Sequence, residues 1–273
     1  MHQTLIYLAY GSISFFFMFV TGLHGQSETT KSDPLKFHLV RFIEVESENI
    51  EDFKIAAEEK TKTFNSGNQT SRWWTYRISD GKRSGQFARG FGDVTAKQLD
   101  HPKFPVQGLV PETDDEAKYW IEKVAPLQKS SGNREVWQEI QGTRYRGLPA
   151  GHHPKFVLHR RWKMLPGMYQ KLENQYSMFS NAIRKSGIKA NWTVTRLHMG
   201  GDFMTYQESL SFDRLSDTLL GGDVWQAAFE DANGEGSWKK HLEEHAKIMQ
   251  PNAEVIAELW TLQPNLGNSS FGQ

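Results

Sequence analysis

A six-residue stretch occurs twice in this chain. KFHLVR occupies residues 36–41, and KFVLHR occupies residues 155–160, which lie 119 positions further along. At the same offset three further identities follow, which are Trp73 with Trp192, Arg77 with Arg196, and Gly81 with Gly200. A fixed internal period indicates that one structural unit is present twice. The repeat therefore restricts the possible folds more than any other feature of the sequence.

Both halves also show the same order of hydrophobic patterns. In each half a predicted strand (36–45; 155–164) precedes a predicted helix (48–66; 167–186). In each helix the apolar residues recur on one helical face. They are Ile50, Phe53, Ala57 and Phe64 in the first half, and Tyr169, Leu172, Tyr176 and Ile183 in the second. Two strands joined by a glycine-containing turn come next, followed by a second helix (114–129; 235–249) and a last strand (135–140; 254–259). This β-α-β-β-α-β order is the ferredoxin-like arrangement.

In such a unit both helices cover one face of the sheet, so the other face requires a partner. The natural partner is the second unit. The sequence therefore predicts an α+β fold, with two tandem ferredoxin-like repeats packed sheet to sheet as an intramolecular α+β barrel. The predicted segments are a signal peptide (1–25), a flexible N-terminal segment (26–35), the first repeat (36–142), a linker (143–154), the second repeat (155–262) and a C-terminal tail (263–273).

The N-terminal segment has its own character. Residues 5–20 are almost wholly apolar, and small and polar residues follow them. The run is short and broken for a membrane span, so it predicts a secretory signal peptide that is cleaved near residue 25. The expected location is secreted or periplasmic. Because no Lys or Arg precedes the apolar run, an uncleaved membrane anchor is the alternative.

Composition excludes several classes of function. The chain has no cysteine, which rules out disulfides, thiolate catalysis and Cys-ligated metals. Lys plus Arg number 32, as do Asp plus Glu, so no net field attracts nucleic acid or an anionic membrane. We expect a small-molecule ligand, no nucleic-acid partner, and no membrane association after signal cleavage. Asn68, Asn191 and Asn268 stand in N-glycosylation motifs, which matter if the source glycosylates.

The sequence HLEEH carries His241 and His245 on one face of a predicted helix. It fits the H-x-x-E-H pattern of inverted zinc peptidases. Those enzymes take a further Glu ligand from a later helix, whereas here a strand and a short tail follow, so no metal site is predicted. The first half carries Trp120 and Val124 at the matching positions. We therefore expect His241 and His245 to act as catalytic bases or axial ligands, or else to be hydrogen-bonded structural histidines.

The repeated Trp-x-x-x-Arg places each pair on one strand face, where it suits an aromatic carboxylate or a haem propionate. The candidate substrate-binding residues are therefore Trp73, Arg77, Trp192 and Arg196. His198 extends the second pair and is a third catalytic candidate. The alternative is a repeated packing motif, in which each Arg pairs with Glu139 or Glu258. His38 and His159 lie at matching parity on two strands, where they face a cavity or serve a structural role.

Two such units paired through their sheets resemble the dimeric α+β barrel superfamily, over roughly residues 36–262. That superfamily includes antibiotic-biosynthesis monooxygenases, NIPSNAP and EthD-like proteins, and chlorite dismutases. The resemblance implies a ligand between a sheet and its helices or inside the barrel. Some members oxidise aromatic substrates without a cofactor, and some bind haem through a histidine of the C-terminal half. The first helix of the second half has no histidine, so only His241 or His245 is available for that role.

The function predicted from these features is an exported small-molecule-binding barrel protein. A cofactor-independent, monooxygenase-like oxidoreductase acting on an aromatic or lipophilic compound is the first interpretation. The alternatives are a non-catalytic ligand- or haem-binding module, and a structural or partner-binding protein whose barrel is filled by side chains. No motif specifies a cofactor.

Overall fold

The computed structural model describes residues 35–65, 73–99, 113–149, 152–219, 222–251 and 253–267. The predicted signal peptide, Asn68, Asn268 and the end of the predicted tail lie outside these residues. The strands are β1 Lys36–Val45, β2 Trp73–Asp80, β3 Phe87–Thr95, β4 Gln128–Glu139, β5 Tyr145–Arg146, β6 Phe156–Lys163, β7 Asn191–Met199, β8 Thr205–Phe212 and β9 Ile256–Leu262. The helices are α1 Ile50–Phe64, α2 Ala96–Leu99, α3 Asp114–Tyr119, α4 Tyr169–Ser186, α5 Gly222–Asn233 and α6 Ser237–Ile248.

These elements confirm the predicted strands and main helices of both halves. The second helix of the first half is irregular, because a π turn (Trp120–Val124) and a 3₁₀ turn (Ala125–Leu127) follow α3. β4 begins seven residues earlier than predicted. The sequence did not predict α5, or the short β5 in the linker, which pairs with β7. No helix of the described residues has the length and apolar character needed to cross a membrane.

Eight antiparallel strands close into a barrel in the order β4-β1-β3-β2-β9-β6-β8-β7, and β7 pairs with β4 to complete the ring. The predicted barrel is present, but the expectation that two separate sheets pack face to face is wrong. The halves share strand hydrogen bonds at two junctions, β2 with β9 and β4 with β7. Closure satisfies the backbone groups that two separate sheets would leave exposed along their edges.

Side chains alternate between the inside of the barrel and the helix-covered outside. Inside, Trp137, Val157, Ile78 and Trp260 are buried in one apolar cluster. Outside the first half, Phe53 and Ala57 of α1 pack on the sheet. Outside the second half, a larger apolar cluster joins α4 and the end of α6 to β6, β7 and β8. The barrel thus offers two kinds of internal space, one within the ring and one beneath the helices.

Candidate active site

The helices of the second half cover a cavity on the outside of the barrel, which we call the outer cavity. Its volume is about 430 Å³, within the usual range for small-molecule sites. Its residues come from β6, β7, β8 and the three covering helices, and most are aromatic. They are Leu158, Arg160, Trp162, Tyr176, Phe179, Trp192, Glu208, Leu210, Trp225, Trp238, His241, Leu242 and His245.

Helix α6 directs both predicted histidines into this cavity. His241 and His245 lie one helical turn apart, and their rings stack at a centroid separation of 6.1 Å. The buried Ile248 fixes the end of the helix on the sheet. His241 also lies 4.6 Å from the ring of Phe229 on α5 and stacks on Phe179 of α4. The histidines are therefore part of an aromatic wall.

Burial keeps both imidazoles neutral. Removal from water is the main effect that lowers the pKa of His241 to about 4, and the neighbouring His245 contributes to this. Burial likewise lowers the pKa of His245. A neutral imidazole has one nitrogen with a hydrogen and one with a lone pair. At neutral pH each histidine can therefore accept a proton or bind a metal.

The orientation of His245 is set by Gln175 of α4. The ring Nδ1 lies 3.1 Å from Gln175 Oε1, and an amide oxygen in that position requires Nδ1 to donate. Nε2 then has the lone pair, and it has no hydrogen-bond partner among the described residues. A second partner that fixes the tautomer in this way is typical of catalytic and metal-binding histidines.

The cavity also contains polar groups on its sheet side. Glu208 accepts a hydrogen bond of 2.7 Å from the indole Nε1 of Trp192, and Arg160 lies 3.8 Å from its other oxygen. The Trp162 indole N–H and the Tyr176 hydroxyl are buried beside each other, and neither makes a hydrogen bond of good geometry with another described residue. Buried polar groups in native proteins are nearly always paired. These two donors therefore suit a ligand that has a hydrogen-bond acceptor.

The structure brings Trp192, His241 and His245 together, but it separates Arg196 and His198 from them. Arg196 donates to Gln138 Oε1 at 3.0 Å and lines a different groove. His198 is exposed and contacts the edge of Phe37. The strand face was predicted correctly, but four residues of strand span about 13 Å. Arg196 and His198 therefore do not line the outer cavity with Trp192 and the two histidines of α6.

Trp73 and Arg77 lie on the outer face of the barrel in the first half, remote from the outer cavity. Trp73 lines a small cavity of about 110 Å³, and Arg77 lies over the Phe87 ring at 5.5 Å. The expected pairing of Arg77 or Arg196 with Glu139 or Glu258 is wrong. Those carboxylates pair with different arginines, and the donors are Arg144 for Glu139 and Arg83 for Glu258.

The first half has a smaller cavity at the equivalent place, with a volume of about 110 Å³, and Trp73 and Trp120 both line it. Trp120 and Val124 hold the positions that the sequence aligned with the two histidines, and Val124 is fully buried. Apolar side chains thus stand in the first half where the second half has imidazoles, and the cavity of the second half is the larger of the two. The predicted asymmetry between the halves agrees with this difference.

One further group of side chains resembles a metal site. His38, Asp93 and Glu139 place their ligand atoms within 4.8 Å of one another at one end of the barrel. However, Arg144 hydrogen-bonds to both carboxylates, and its Nε lies 2.9 Å from Glu139. The guanidinium already balances the two negative charges, so we infer no metal site there.

Asn191, which stands in a glycosylation motif, is largely buried, and its Oδ1 accepts a hydrogen bond from the Leu148 N–H. This position does not suit glycosylation of the folded chain.

Several residues of the outer cavity were missed at the sequence level. Trp225 lines the cavity and Phe229 packs against His241, and both come from α5, which the sequence did not predict. Their spacing of four residues on one helical face is a signal that could have revealed the helix. Glu208 was missed because an isolated acidic residue in a strand has no diagnostic pattern.

Comparison with known proteins gives a fold and no family. The sequence matches no protein-family model and no curated protein sequence. The structure resembles a "putative monooxygenase" of Fusobacterium nucleatum, with a TM-score of 0.53 and 11% identity, over 85% of this chain and 94% of that one. It also resembles a "putative monooxygenase" of Lactobacillus acidophilus, with a TM-score of 0.49 and 8% identity, over 83% and 95% of the two chains. A chlorite dismutase of Candidatus Nitrospira defluvii gives a TM-score of 0.49 and 8% identity, over 89% and 97%.

At such low identity the likeness concerns the fold, and the Fusobacterium protein alone of the three exceeds a TM-score of 0.5. Arguments about chemistry therefore rest on the residues of this chain.

Proposed function

We propose that this protein binds a flat aromatic molecule in the outer cavity and oxidises it, as a monooxygenase-like oxidoreductase that needs no cofactor. The observation that carries the proposal is His245, a neutral imidazole whose Nδ1 is held by Gln175 and whose Nε2 has no protein partner. The aromatic walls match the faces of a flat substrate. The names of the monooxygenase neighbours agree with this assignment.

The arrangement suits removal of a proton from a CH₂ group that lies between two aromatic rings and is conjugated through them to a carbonyl. His245 Nε2 accepts that proton, and the substrate becomes an enolate. The N–H of Trp162 and the O–H of Tyr176 are the buried donors available to an enolate oxygen. Molecular oxygen is the oxidant: one of its atoms converts the CH₂ group into a ketone, and the other leaves as water with the two hydrogens. The protein supplies the base, the donors and exclusion of water.

Anthrone, a flat carbon acid, is a suitable probe. The experiment measures oxygen uptake together with the absorbance of the quinone product. We expect His245→Ala to lower the rate about 100-fold or more, as loss of a general base does, while the exposed His152→Ala variant retains the full rate. Oxidation that is no faster than in buffer, or a His245→Ala variant of unchanged rate, would contradict the proposal.

A haem-binding module is the second candidate, and the same histidine favours it. His245, a neutral imidazole with a fixed Nδ1–H and an open Nε2, would hold the haem iron, and the aromatic side chains of the cavity would pack on the macrocycle. Bound haem would supply redox chemistry to the cavity. Titration of the protein with haemin tests this: a Soret band that shifts on binding and is lost in His245→Ala supports the module, whereas a spectrum equal to that of free haemin excludes it.

We further propose that the two halves are tandem ferredoxin-like repeats and that the protein is exported. The strand orders β4-β1-β3-β2 and β9-β6-β8-β7 support the first statement, because they are the same order in the two halves. The apolar run of residues 5–20 supports the second. N-terminal sequencing of the protein from its native host tests export, since a start near residue 26 is expected and a start at Met1 would oppose cleavage.

A further inference from the structure

The inside of the barrel holds a second and larger cavity, which we call the lumen. Its volume is about 690 Å³, and all eight strands of the ring contribute to its lining. The predicted strand histidines His38 and His159 both line it. The linker also contributes, at the end where side chains are exposed, through Arg144, Arg146, Leu148, Pro149 and residues 152–154. The barrel is therefore not a completely filled core.

The opposite end of the lumen is closed by charged side chains. Arg83, from the β2–β3 turn, donates from Nε and Nη2 to both oxygens of Glu258, at 2.8 Å and 2.6 Å. Arg161 lies 3.3 Å from Glu135. Two cations and two anions balance each other there, so the closed end carries no excess charge towards the lumen. This balance disfavours a charged ligand group at that depth.

One wall of the lumen is a ladder of polar side chains, which we call the polar ladder. His159, Ser209 and Thr193 form its middle rung, because His159 is the register partner of Ser209 and Ser209 is that of Thr193. The adjoining rung contains Gln207 and Thr195. The neighbouring strands carry an aromatic wall, with residues Trp74, Tyr76, Trp137 and Trp260, and Trp260 contacts the His159 ring at a centroid distance of 4.0 Å.

The middle rung presents two polar groups without protein partners. His159 is 8% exposed, and its Nδ1 lies 2.9 Å from Ser209 Oγ, whereas its Nε2 has no partner among the described residues. Thr193 Oγ1 is buried and has no hydrogen-bond partner there either. Burial is the main effect that lowers the pKa of His159, so the ring is neutral. Both groups lie on a wall where a ligand could satisfy them.

We propose that the lumen is a second ligand site, which takes an uncharged aromatic compound with hydroxyl or carbonyl groups along one edge. Such a molecule places its ring against the aromatic wall and its polar edge on the polar ladder. The lumen and the outer cavity lie on opposite faces of the sheet, so the proposal of a second ligand site does not depend on the proposed oxidation.

The absence of cysteine from the chain allows a direct test. Ser211→Cys places a single thiol on β8, beyond Ser209 of the polar ladder and near the open end of the lumen. The probe is 2-naphthol, which is uncharged at neutral pH, and the rate of maleimide labelling is followed by mass spectrometry. We expect saturating 2-naphthol to slow labelling of this thiol about tenfold. The matched control is Ser177→Cys on the exposed face of α4, whose labelling rate stays unchanged.

A second substitution in the Ser211→Cys chain distinguishes binding in the lumen from binding in the outer cavity. Adding Thr193→Val should raise the 2-naphthol concentration needed for half-maximal protection about fivefold to tenfold, since one hydrogen bond is lost. Adding Trp238→Ala, in the outer cavity, should leave protection intact. The proposal is overturned if 2-naphthol fails to slow labelling, if naphthalene protects equally well, or if Ser211→Cys reacts with maleimide only after unfolding.

Discussion

Burial holds three histidines in the neutral form, and these three line the two cavities. His241 and His245 border the outer cavity, and His159 lies inside the barrel. In each case removal from water is the largest effect on the pKa. His152 is exposed and pairs with Asp213 at 2.8 Å. Burial therefore leaves each of the three cavity histidines with a free lone pair at neutral pH.

This difference predicts a pH dependence of stability. The pKa of His241 is about 4 in the folded chain and near 6.5 when unfolded, so between these values the unfolded state binds more protons. Stability therefore falls as the pH drops from 6.5 towards 4. The other titratable and charged residues that line this cavity are unchanged in every variant, and they are His245, Glu208 and Arg160. We expect the loss of melting temperature between pH 7 and pH 5 to be about 2–4 °C smaller in His241→Phe.

The wild-type chain and His241→Phe are compared by thermal unfolding at both pH values. Lys240→Ala, an exposed change on the same helix, serves as the control and should follow the wild type. Equal losses in wild type and His241→Phe would show that His241 is already protonated in the folded chain at pH 5.

Helical spacing predicted the shared face of His241 and His245, because neighbours on a helix are fixed by local geometry. Strand parity likewise predicted that His38 and His159 face the same cavity. Parity did not predict how far apart Trp192 and Arg196 lie, or which arginines pair with Glu139 and Glu258. Those pairings depend on loops and turns that bring distant segments together, and such contacts leave no periodic signal.

At the scale of elements, the junctions between the halves depend on two glycines that the repeat had already aligned. Gly81 follows β2 with a φ of 100°, and Gly200 follows β7 with a φ of 93°. A Cβ on Gly81 would lie 2.3 Å from the backbone oxygen of Ala257 in β9, and one on Gly200 would lie 2.1 Å from that of Arg134 in β4. The same device thus permits close strand approach at both junctions.

Gly81→Ala should therefore destabilise the chain more than a change that introduces backbone strain alone. Gly85 is a matched control in the same hairpin, since its φ is 89° and a Cβ there meets nothing within 4 Å. Gly85→Ala costs about 1–2 kcal/mol of left-handed strain, or about 2–8 °C in melting temperature for a chain of this size. We expect at least twice that loss for Gly81→Ala in thermal unfolding. Equal losses would mean that the junction can shift without cost.

The repeat also explains which elements the sequence revealed. β1 and β6 begin each half, and both were predicted within one or two residues because their apolar pattern is strong. The early start of β4 was missed, since residues 128–134 are polar and exposed. The strand pairing between the two halves was missed as well. Edge pairing is made by backbone groups, which every residue except proline has, so side-chain patterns do not report it.

At the scale of the whole molecule, each half depends on the other for both its edges and its inner face. The buried inner cluster draws Val40, Ile78 and Trp137 from the first half and Val157 and Trp260 from the second. The closed end of the lumen likewise joins arginines and carboxylates of both halves. A half by itself would expose two strand edges and one apolar sheet face to water.

Separated halves should therefore not persist as folded monomers. A break at residues 150–151, in the linker, leaves every strand of the ring intact. We expect the two fragments to co-purify as a 1:1 complex when expressed together, because both junctions and the inner core re-form. Expressed alone, each should aggregate or pair with itself. Light scattering coupled to gel filtration gives the masses, and a folded, monomeric half would show that its inner sheet face needs no partner.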